Sequence, residues 1–175
     1  MAVDFRQLEE FRNNIQNLSD EKCSKFCDDC AKELAGRLLA KVIPRTPVGV
    51  PPQDIDDDTF QEHWSGYVGG TLRRGWTGGQ QISNVQAYAR GLPINVVSNE
   101  YKIEIINNVK YAMYVEYGHR QTAGRYVPAL GKKLKQSWIP GKFMMTSSVR
   151  ELDAQAQSIV DRKLQAFLRE NGVGQ

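Results

Sequence analysis

The sequence lacks the features that mark membrane and secreted proteins. No apolar run approaches the roughly 20 residues that a membrane span needs, and the opening residues have neither the basic start nor the apolar stretch of a secretory signal. The three cysteines, Cys23, Cys27 and Cys30, lie within eight residues of one another and form a poor disulfide framework. We therefore predict a protein that is made in a reducing cytoplasm and has no membrane partner.

Residues for catalysis, phosphate binding and metal binding are scarce as well. The two histidines, His63 and His119, lie 56 positions apart, and neither stands in a recognisable ligand or catalytic pairing. The glycines lack the spacing and the Lys-Ser/Thr ending of a phosphate-binding loop. The acidic run at 54–58 lacks the spaced ligands and the bidentate Glu of a calcium loop. The sequence therefore predicts a non-enzymatic protein without cofactor or metal.

The cysteine spacing, C-x3-C-x2-C, has a second meaning in iron–sulfur enzymes that use S-adenosylmethionine. Here the neighbours Phe26 and Leu34 place the cysteines inside a helical pattern, which puts the sulfurs on one face but spreads them along its axis. Because free cysteine commonly behaves as a small hydrophobic residue, we favour that interpretation. A zinc site shared with His63 or His119 is the less favoured alternative.

The net charge is small, but one segment is strongly basic. The formal charge is +3, from 23 Lys and Arg against 20 Asp and Glu, which is too slight to indicate nucleic-acid binding by itself. Residues 120–142 interleave cationic and aromatic side chains that can contact phosphates and stack on bases: Arg120, Arg125, Lys132, Lys133, Lys135 and Lys142, with Tyr126 and Trp138. A solvated loop that orders at a protein interface is the favoured interpretation, and a nucleic-acid-binding module is the alternative.

Hydrophobic periodicity predicts a helical segment at each end of the chain. Apolar residues recur at steps of three and four through residues 1–43, with a break near Ser19, and Pro44 should end this segment because proline disfavours helical geometry before it. A last helix is predicted from 147 to 171. Ser148 to Glu151 matches a capping box at its start, and Asn171-Gly172 is a typical end.

Between these helices the sequence predicts two long loops and a group of strands. Residues 44–70 are rich in proline and acidic side chains, and residues 119–142 are basic and marked by glycine and proline. Residues 71–118 are predicted to form strands, with an antiparallel hairpin of 92–98 and 101–107. We therefore predict one α+β domain over 1–175, in which a small antiparallel sheet packs against the N-terminal and C-terminal helices.

Four motifs occur in an order that resembles a known protein family. They are PRTPV at 44–48, TLRRGW at 71–76, YAMYVEYG at 111–118 and GKFMMTSS at 141–148. The chain is similar in these motifs to the minor tail or neck component family of lambdoid-type tailed phages, which includes head–tail joining and tail-completion proteins. It departs from the family pattern in the insertion at 49–70, in His119, where the family usually has Thr, and in the length of the 119–142 loop.

The resemblance implies a structural virion protein that is made in the cytoplasm of a bacterial host. It implies a small subunit that assembles with itself into a hexameric ring at the head–tail junction, where the ring joins or terminates the tail. The implied partners are the head-connector and tail-tube or tail-terminator proteins, with DNA passing through the ring without sequence-specific contacts. A closed ring requires head-to-tail contacts between unlike patches and no chemistry.

Interface residues are expected among the aromatic and basic residues of the motifs and long loops, because buried aromatics carry much of the binding energy at protein interfaces. The predicted interface set is Trp64, Tyr67, Trp76, Tyr114, Glu116, Tyr117, His119, Arg120 and Arg125. The residues predicted to face passing DNA are Lys132, Lys133 and Lys135.

Overall fold

The computed structural model describes residues 20–98 and 100–173, and the predicted helical pattern of residues 1–19 lies outside this range. The helices and strands in chain order are α1 (Asp20–Arg45), α2 (Asp57–Trp64), α3 (Thr71–Arg74), α4 (Val85–Arg90), β1 (Asn95–Val97), β2 (Glu100–Lys102), α5 (Ala112–Tyr117), β3 (Gly118–Arg120), β4 (Tyr126–Val127), β5 (Lys132–Lys133), β6 (Trp138–Pro140) and α6 (Met144–Glu170). Short 3-10 turns occupy Gly75–Thr77 and Pro128–Leu130. The two long helices and the small antiparallel sheets confirm the predicted α+β class.

These elements form two compact units, each built from separate stretches of the chain. The first comprises the described residues of 1–38, 84–104 and 150–175, and the second comprises 39–83 and 105–149. That the whole chain is one domain stays a prediction. Among the described residues, no helix is both long enough and apolar enough to cross a membrane.

In the first unit, α1 and α6 are joined by an aromatic pair. The rings of Phe26 and Phe167 lie 4.8 Å apart between centroids. Strands β1 and β2 pair antiparallel with Val96 opposite Tyr101, and the Tyr101 hydroxyl donates to Ser24 Oγ of α1 at 2.9 Å. The predicted hairpin is confirmed, but its paired strands are only three residues long. Asn99 in its connection lies outside the described residues.

In the second unit, the first two motifs meet at Thr46. The side chain of this buried threonine accepts a hydrogen bond from the Trp76 indole N–H at 2.7 Å and donates to the carbonyl of Val42 at 2.8 Å. Its own carbonyl accepts from the Arg73 guanidinium at 2.8 Å. The motifs are therefore packing elements, and Leu39, Val42, Leu72 and Met144 complete the apolar core around them.

The prediction of strands through 71–118 is wrong except for the hairpin. Thr71–Arg74 is helical, Gly75–Thr77 continues as a 3-10 turn, and two further helices, α4 and α5, follow. The reason lies in the spacing of buried residues. Leu72 and Trp76 are both buried and four positions apart, which is the spacing of a helical turn and not the alternation of a strand.

Two helix boundaries also differ from the prediction. Helix α1 continues through Pro44 to Arg45, because the Thr46 N–H and hydroxyl both bond to Val42 and complete the last turn. Helix α6 begins at Met144, so the prediction of a capping box at Ser148 is wrong. The Ser148 hydroxyl lies inside the helix, where it donates to the Met144 carbonyl at 2.6 Å and accepts from Arg45 Nη1 at 3.1 Å.

The end of α6 agrees with the prediction. Gly172 adopts a left-handed φ of 71°, its N–H donates to the Arg169 carbonyl, and the Val173 N–H donates to the Leu168 carbonyl at 2.7 Å. This pair of bonds is the Schellman motif, in which glycine is favoured because it has no Cβ to oppose the left-handed conformation.

Both predicted long loops contain regular structure. The acidic stretch of the 44–70 segment forms α2, because the Asp56 carboxylate accepts the Thr59 N–H at 2.8 Å and caps its first turn. The 119–142 segment forms a two-stranded antiparallel ribbon, which we call the arm (residues 118–141). The arm is closed at its far end by the turn at Pro128–Leu130 and by Gly131, which has a left-handed φ of 61°.

Candidate assembly interface

The third motif contributes a buried carboxylate, Glu116, that caps the N-terminus of α6. Glu116 is 6% exposed. Its Oε2 accepts the Met145 N–H at 3.0 Å, and its Oε1 accepts the Thr146 N–H at 2.9 Å and the Thr146 hydroxyl at 2.7 Å. The first N–H groups of a helix have no partner inside it, and the helix dipole favours an anion there. Glu116 therefore ties α5 to the first turn of α6.

The hydrogen bonds decide the ionisation of this carboxyl. Burial by itself raises the pKa of Glu116, but the N–H groups of Thr146 and Met145 and the Thr146 hydroxyl act in the opposite direction. Their combined effect is the larger, so the pKa of Glu116 lies below its ordinary value and the group is ionised at neutral pH.

Two glycines bring the backbone of α5 and β3 against the residues that precede α6. Gly118 has φ 87° and ψ 171°, a conformation that is essentially restricted to glycine, and a Cβ there would lie 2.5 Å from the Ile139 carbonyl oxygen. A Cβ on Gly141 would collide with the backbone of Glu116, Tyr117 and Gly118. The close approach allows the Lys142 and Phe143 N–H groups to donate to the carbonyls of Val115 and Glu116.

Phe143, the residue before α6, is held in a left-handed conformation with φ 49°. A bulky residue in that region costs about 1–2 kcal/mol. Such strain persists where the surrounding structure imposes it, and it is concentrated at functional sites. Here it turns the Phe143 ring outward against Tyr117, with 6.5 Å between the ring centroids.

These constraints support an exposed aromatic surface, which we call the platform (Tyr114, Tyr117, Trp138 and Phe143). Its members are 60%, 53%, 49% and 46% exposed, respectively. Tyr114 and Tyr117 are three positions apart on α5, and Trp138 borders Gly118. Large aromatics exposed together on a rigid support indicate a protein–protein contact surface.

The platform lies at the base of the arm, where β3 pairs with β6 and Arg120 stands opposite Trp138. Further backbone bonds continue the arm away from this base. The Gln121 N–H donates to Ser137, and Gly124 and Arg125 exchange bonds with Leu134 at 2.8 Å. The β4–β5 pair then leads to the turn at Pro128–Leu130.

The inserted segment packs on the far end of the arm. The Trp64 indole N–H donates to the Ala129 carbonyl at 2.6 Å, and Lys132 Nζ lies 2.8 Å from both carboxylate oxygens of Asp54. The hydrogen bond from Lys132 holds the pKa of Asp54 below its ordinary value. We call this assembly the tip (residues 54–64 with Pro128–Leu130).

The predicted interface residues fall into two groups in the structure. Tyr67, Tyr114, Tyr117, Arg120 and Arg125 are exposed. Trp76 and Glu116 have internal roles instead, because Trp76 is 7% exposed and donates to Thr46, and Glu116 caps α6. Their side chains were assigned to the surface because local spacing does not reveal a partner 30 residues away.

Trp64 and His119 belong to neither group, because both side chains are half-buried. Trp64 is half-buried and joins the insertion to the arm, with its ring edge-on to Tyr67 at 5.1 Å. His119 is half-buried beside Tyr114, and its Nδ1 is enclosed without a hydrogen-bond partner among the described residues.

Sequence reasoning missed Phe143 as a surface residue, and it placed Trp138 and Lys142 in the basic segment but not among the named interface residues. A usable signal was present in the charge pattern. Residues 49–70 contain five acidic residues and no Lys or Arg, whereas 119–142 contains six Lys and Arg and no acidic residue. Segments of opposite sign are typical of contacting surfaces.

The cysteines do not form a site. Cys23 is exposed, Cys27 is half-buried and Cys30 is buried, so the prediction of small buried residues holds for Cys30 alone. Burial raises the pKa of the Cys30 thiol, which makes it a poor metal ligand and nucleophile. Within 20–98 and 100–173, no cluster of His, Cys, Asp and Glu could hold a metal ion.

Comparison with protein families gives one match. The chain is similar over residues 9–118 to the family described as "Bacteriophage HK97-gp10, putative tail-component". The matched region covers 110 of the 175 residues, includes the first three motifs, and ends at Gly118, where the arm begins. No curated protein and no solved structure matches the chain.

Proposed function

Because this chain belongs to the HK97-gp10-like family of bacteriophage tail components, we propose that it is a ring subunit of the phage neck, which joins or terminates the tail at the head–tail junction. Family membership makes it a structural protein of the virion that contacts other virion proteins. The ring and its place at the junction are our proposal.

The observation that supports this proposal best is the platform. Four aromatic side chains are exposed on a backbone that is fixed in three ways. A buried ionised carboxylate caps α6, a Cβ at either of two glycines would collide with neighbouring backbone, and Phe143 has a strained conformation. A monomer gains nothing from exposing these rings, whereas a partner that covers them gains their burial free energy. Aromatic residues of this kind are enriched at the centres of protein interfaces.

We further propose that the protein acts without catalysis. Cys30, Asp54, Asp56 and Glu116 each have a shifted pKa. The Asp54 and Asp56 carboxylates pair with Lys132 and cap α2, Glu116 caps α6, and Cys30 is buried. Each shift therefore has a structural cause, and none belongs to an acid–base pair in a cleft.

The proposed partners are further copies of this chain, the head-connector proteins on one side and tail-tube or tail-terminator proteins on the other. The exposed residues proposed to contact them are the platform together with Tyr67, Arg120 and Arg125, while Glu116 supports the platform from within. Lys133 and Lys135 are proposed to face DNA that passes through the ring. Lys132 is already neutralised by Asp54, which weakens the alternative of a dedicated nucleic-acid-binding module.

Native mass spectrometry with negative-stain imaging, over a wide range of protein concentration, tests the ring directly. We expect closed rings, with hexamers dominant, as the resemblance to neck and tail-completion proteins implies. A chain that remains monomeric at every concentration, alone and with connector proteins, would contradict the proposal.

A further inference from the structure

The tip presents an acidic surface that no Lys or Arg among the described residues neutralises. Asp58 and Glu62 are exposed and lie one turn apart on α2, on a different face from Trp64, which anchors the helix to the arm. Neither carboxylate forms an ion pair with Lys or Arg in the described part of the chain. His63 Nε2 lies 3.8 Å from Glu62 and carries charge only when protonated. Two like charges one turn apart repel each other, and a cationic partner would relieve that repulsion.

The platform carries the opposite charge. Arg120 stands across from Trp138 in the β3–β6 pair, and Lys142 directly precedes Phe143. Both side chains are exposed, and neither forms an ion pair with any residue of 20–98 or 100–173. The platform is therefore an apolar aromatic centre with a cationic rim, and the rim suits an acidic helix such as α2.

The tip cannot dock on the platform of its own chain. The platform is at the base of the arm and the tip is at its far end. The β3–β6 pair, cross-arm backbone bonds at Gln121, Gly124 and Arg125, and the β4–β5 pair lie between them. An arm that held its tip on its own base would have to break this pairing.

We propose that the platform of each subunit receives the acidic tip of the neighbouring copy, with Asp58 and Glu62 facing Arg120 and Lys142. This inference rests on the proposed ring and identifies the contact that closes it. The two patches are unlike and lie at opposite ends of one arm, so each copy offers one of each. Such a contact is head-to-tail, which is the kind that generates a ring.

The test is a charge swap in the full-length chain. The tip variant carries Asp58→Lys with Glu62→Lys, and the platform variant carries Arg120→Glu with Lys142→Glu. Each variant alone places like charges together, and we expect the protein concentration at half-assembly to rise about tenfold or more. Mixed in equal amounts, the variants present complementary charges at both contacts, and we expect rings of alternating subunits to return.

A matched control reverses charges on the exposed part of α6, with Asp153→Lys and Arg162→Glu, and should leave assembly unchanged. Circular dichroism verifies that each variant is folded. If a reversal variant does not fold, the neutral pairs Asp58→Asn with Glu62→Gln and Arg120→Gln with Lys142→Gln replace it, and each should still weaken assembly.

The outcomes separate this inference from the proposed function. If the unmodified chain forms rings and the reversals leave them intact, the tip–platform contact is wrong and the ring stands. The contact is also wrong if both variants lose their rings and mixing does not restore them. If the unmodified chain never forms rings, the proposed ring is wrong and the contact falls with it.

Discussion

At the scale of single residues, the most informative side chain is the Glu116 carboxylate. It lies in the third motif, YAMYVEYG, yet its partners are the N–H groups of a helix that starts 28 positions later. A buried charge is tolerated when every oxygen is hydrogen-bonded, and Glu116 meets that condition. Its part in the proposed interface is therefore indirect, through the position of Tyr117 and Phe143.

Replacing Glu116 by Gln tests this anchor. The substitution removes the charge at the start of α6 and turns an amide N–H₂ toward a backbone N–H, so we expect a loss of about 2 kcal/mol in the free energy of unfolding. Urea denaturation followed by circular dichroism measures it. The exposed Glu104→Gln should change the free energy of unfolding by less than about 0.5 kcal/mol. An equal, small effect of both substitutions would remove the capping role.

The destabilisation caused by Glu116→Gln should also depend on pH, and the direction of the pKa shift gives its sign. The pKa of Glu116 is lower in the folded protein than in the unfolded chain, so its stabilisation is complete above the unfolded value of about 4.3. It is lost as the pH falls through the folded pKa. The difference in free energy of unfolding between the unmodified chain and Glu116→Gln should therefore be constant above about pH 5 and shrink in acid. A difference that grows in acid would contradict the direction of the shift.

At the scale of elements, the arm and the start of α6 are held together by backbone proximity. Two segments of the backbone lie closer here than a Cβ at Gly118 or Gly141 would allow. The β3–β6 pairing and the hydrogen bonds of Lys142 and Phe143 depend on this close approach. The platform therefore has a defined geometry before any partner binds. Such preorganisation lowers the entropic cost of association.

Gly118→Ala tests this arrangement. Gly78 supplies a matched control, because its φ of 64° is also left-handed but a Cβ there would meet nothing within 4 Å. Alanine at Gly78 should cost about 1 kcal/mol from backbone conformation alone. Alanine at Gly118 adds a collision with the Ile139 carbonyl and should cost about 2–4 kcal/mol in total. Thermal denaturation of the two variants measures the difference, and equal losses would show that the strands can separate at no cost.

At the scale of the whole molecule, the chain has little net charge but separates its charges. The formal charge of +3 conceals an insertion (49–70) with five acidic residues and a segment (119–142) with six basic ones. One pair, Asp54 and Lys132, is satisfied within the second unit. The remaining charges of these two segments can select partners, and the arrangement favours protein association over the uniformly basic surface typical of nucleic-acid binding.

DNA binding by the isolated chain distinguishes the proposed ring from the nucleic-acid-binding alternative. We expect weak binding of a labelled duplex, independent of sequence, with a dissociation constant no tighter than about 10⁻⁶ M at physiological salt. Fluorescence anisotropy over a range of salt concentrations measures it. Tight binding that falls steeply with salt and is lost in Lys133→Glu with Lys135→Glu would favour the alternative, provided that Asp153→Lys with Arg162→Glu retains it.

The sequence by itself determined the elements whose signal is local. The long terminal helices follow from apolar residues at steps of three and four, the β1–β2 hairpin follows from alternation, and the motifs from PRTPV to YAMYVEYG carry the family resemblance. These patterns depend on neighbours within one or two turns, so they can be read without knowledge of the rest of the chain.

Tertiary structure alone decided the roles of the residues within those motifs. Trp76 donates to Thr46 across 30 positions, Glu116 caps a helix that starts 28 positions later, and Trp64 joins α2 to Ala129 across 65. The basic segment became a paired arm because its two halves satisfy each other's backbone groups, although neither half has a strong strand pattern. A hydrogen-bond partner so distant in sequence leaves no mark on local spacing, because only the folded chain brings the two groups together.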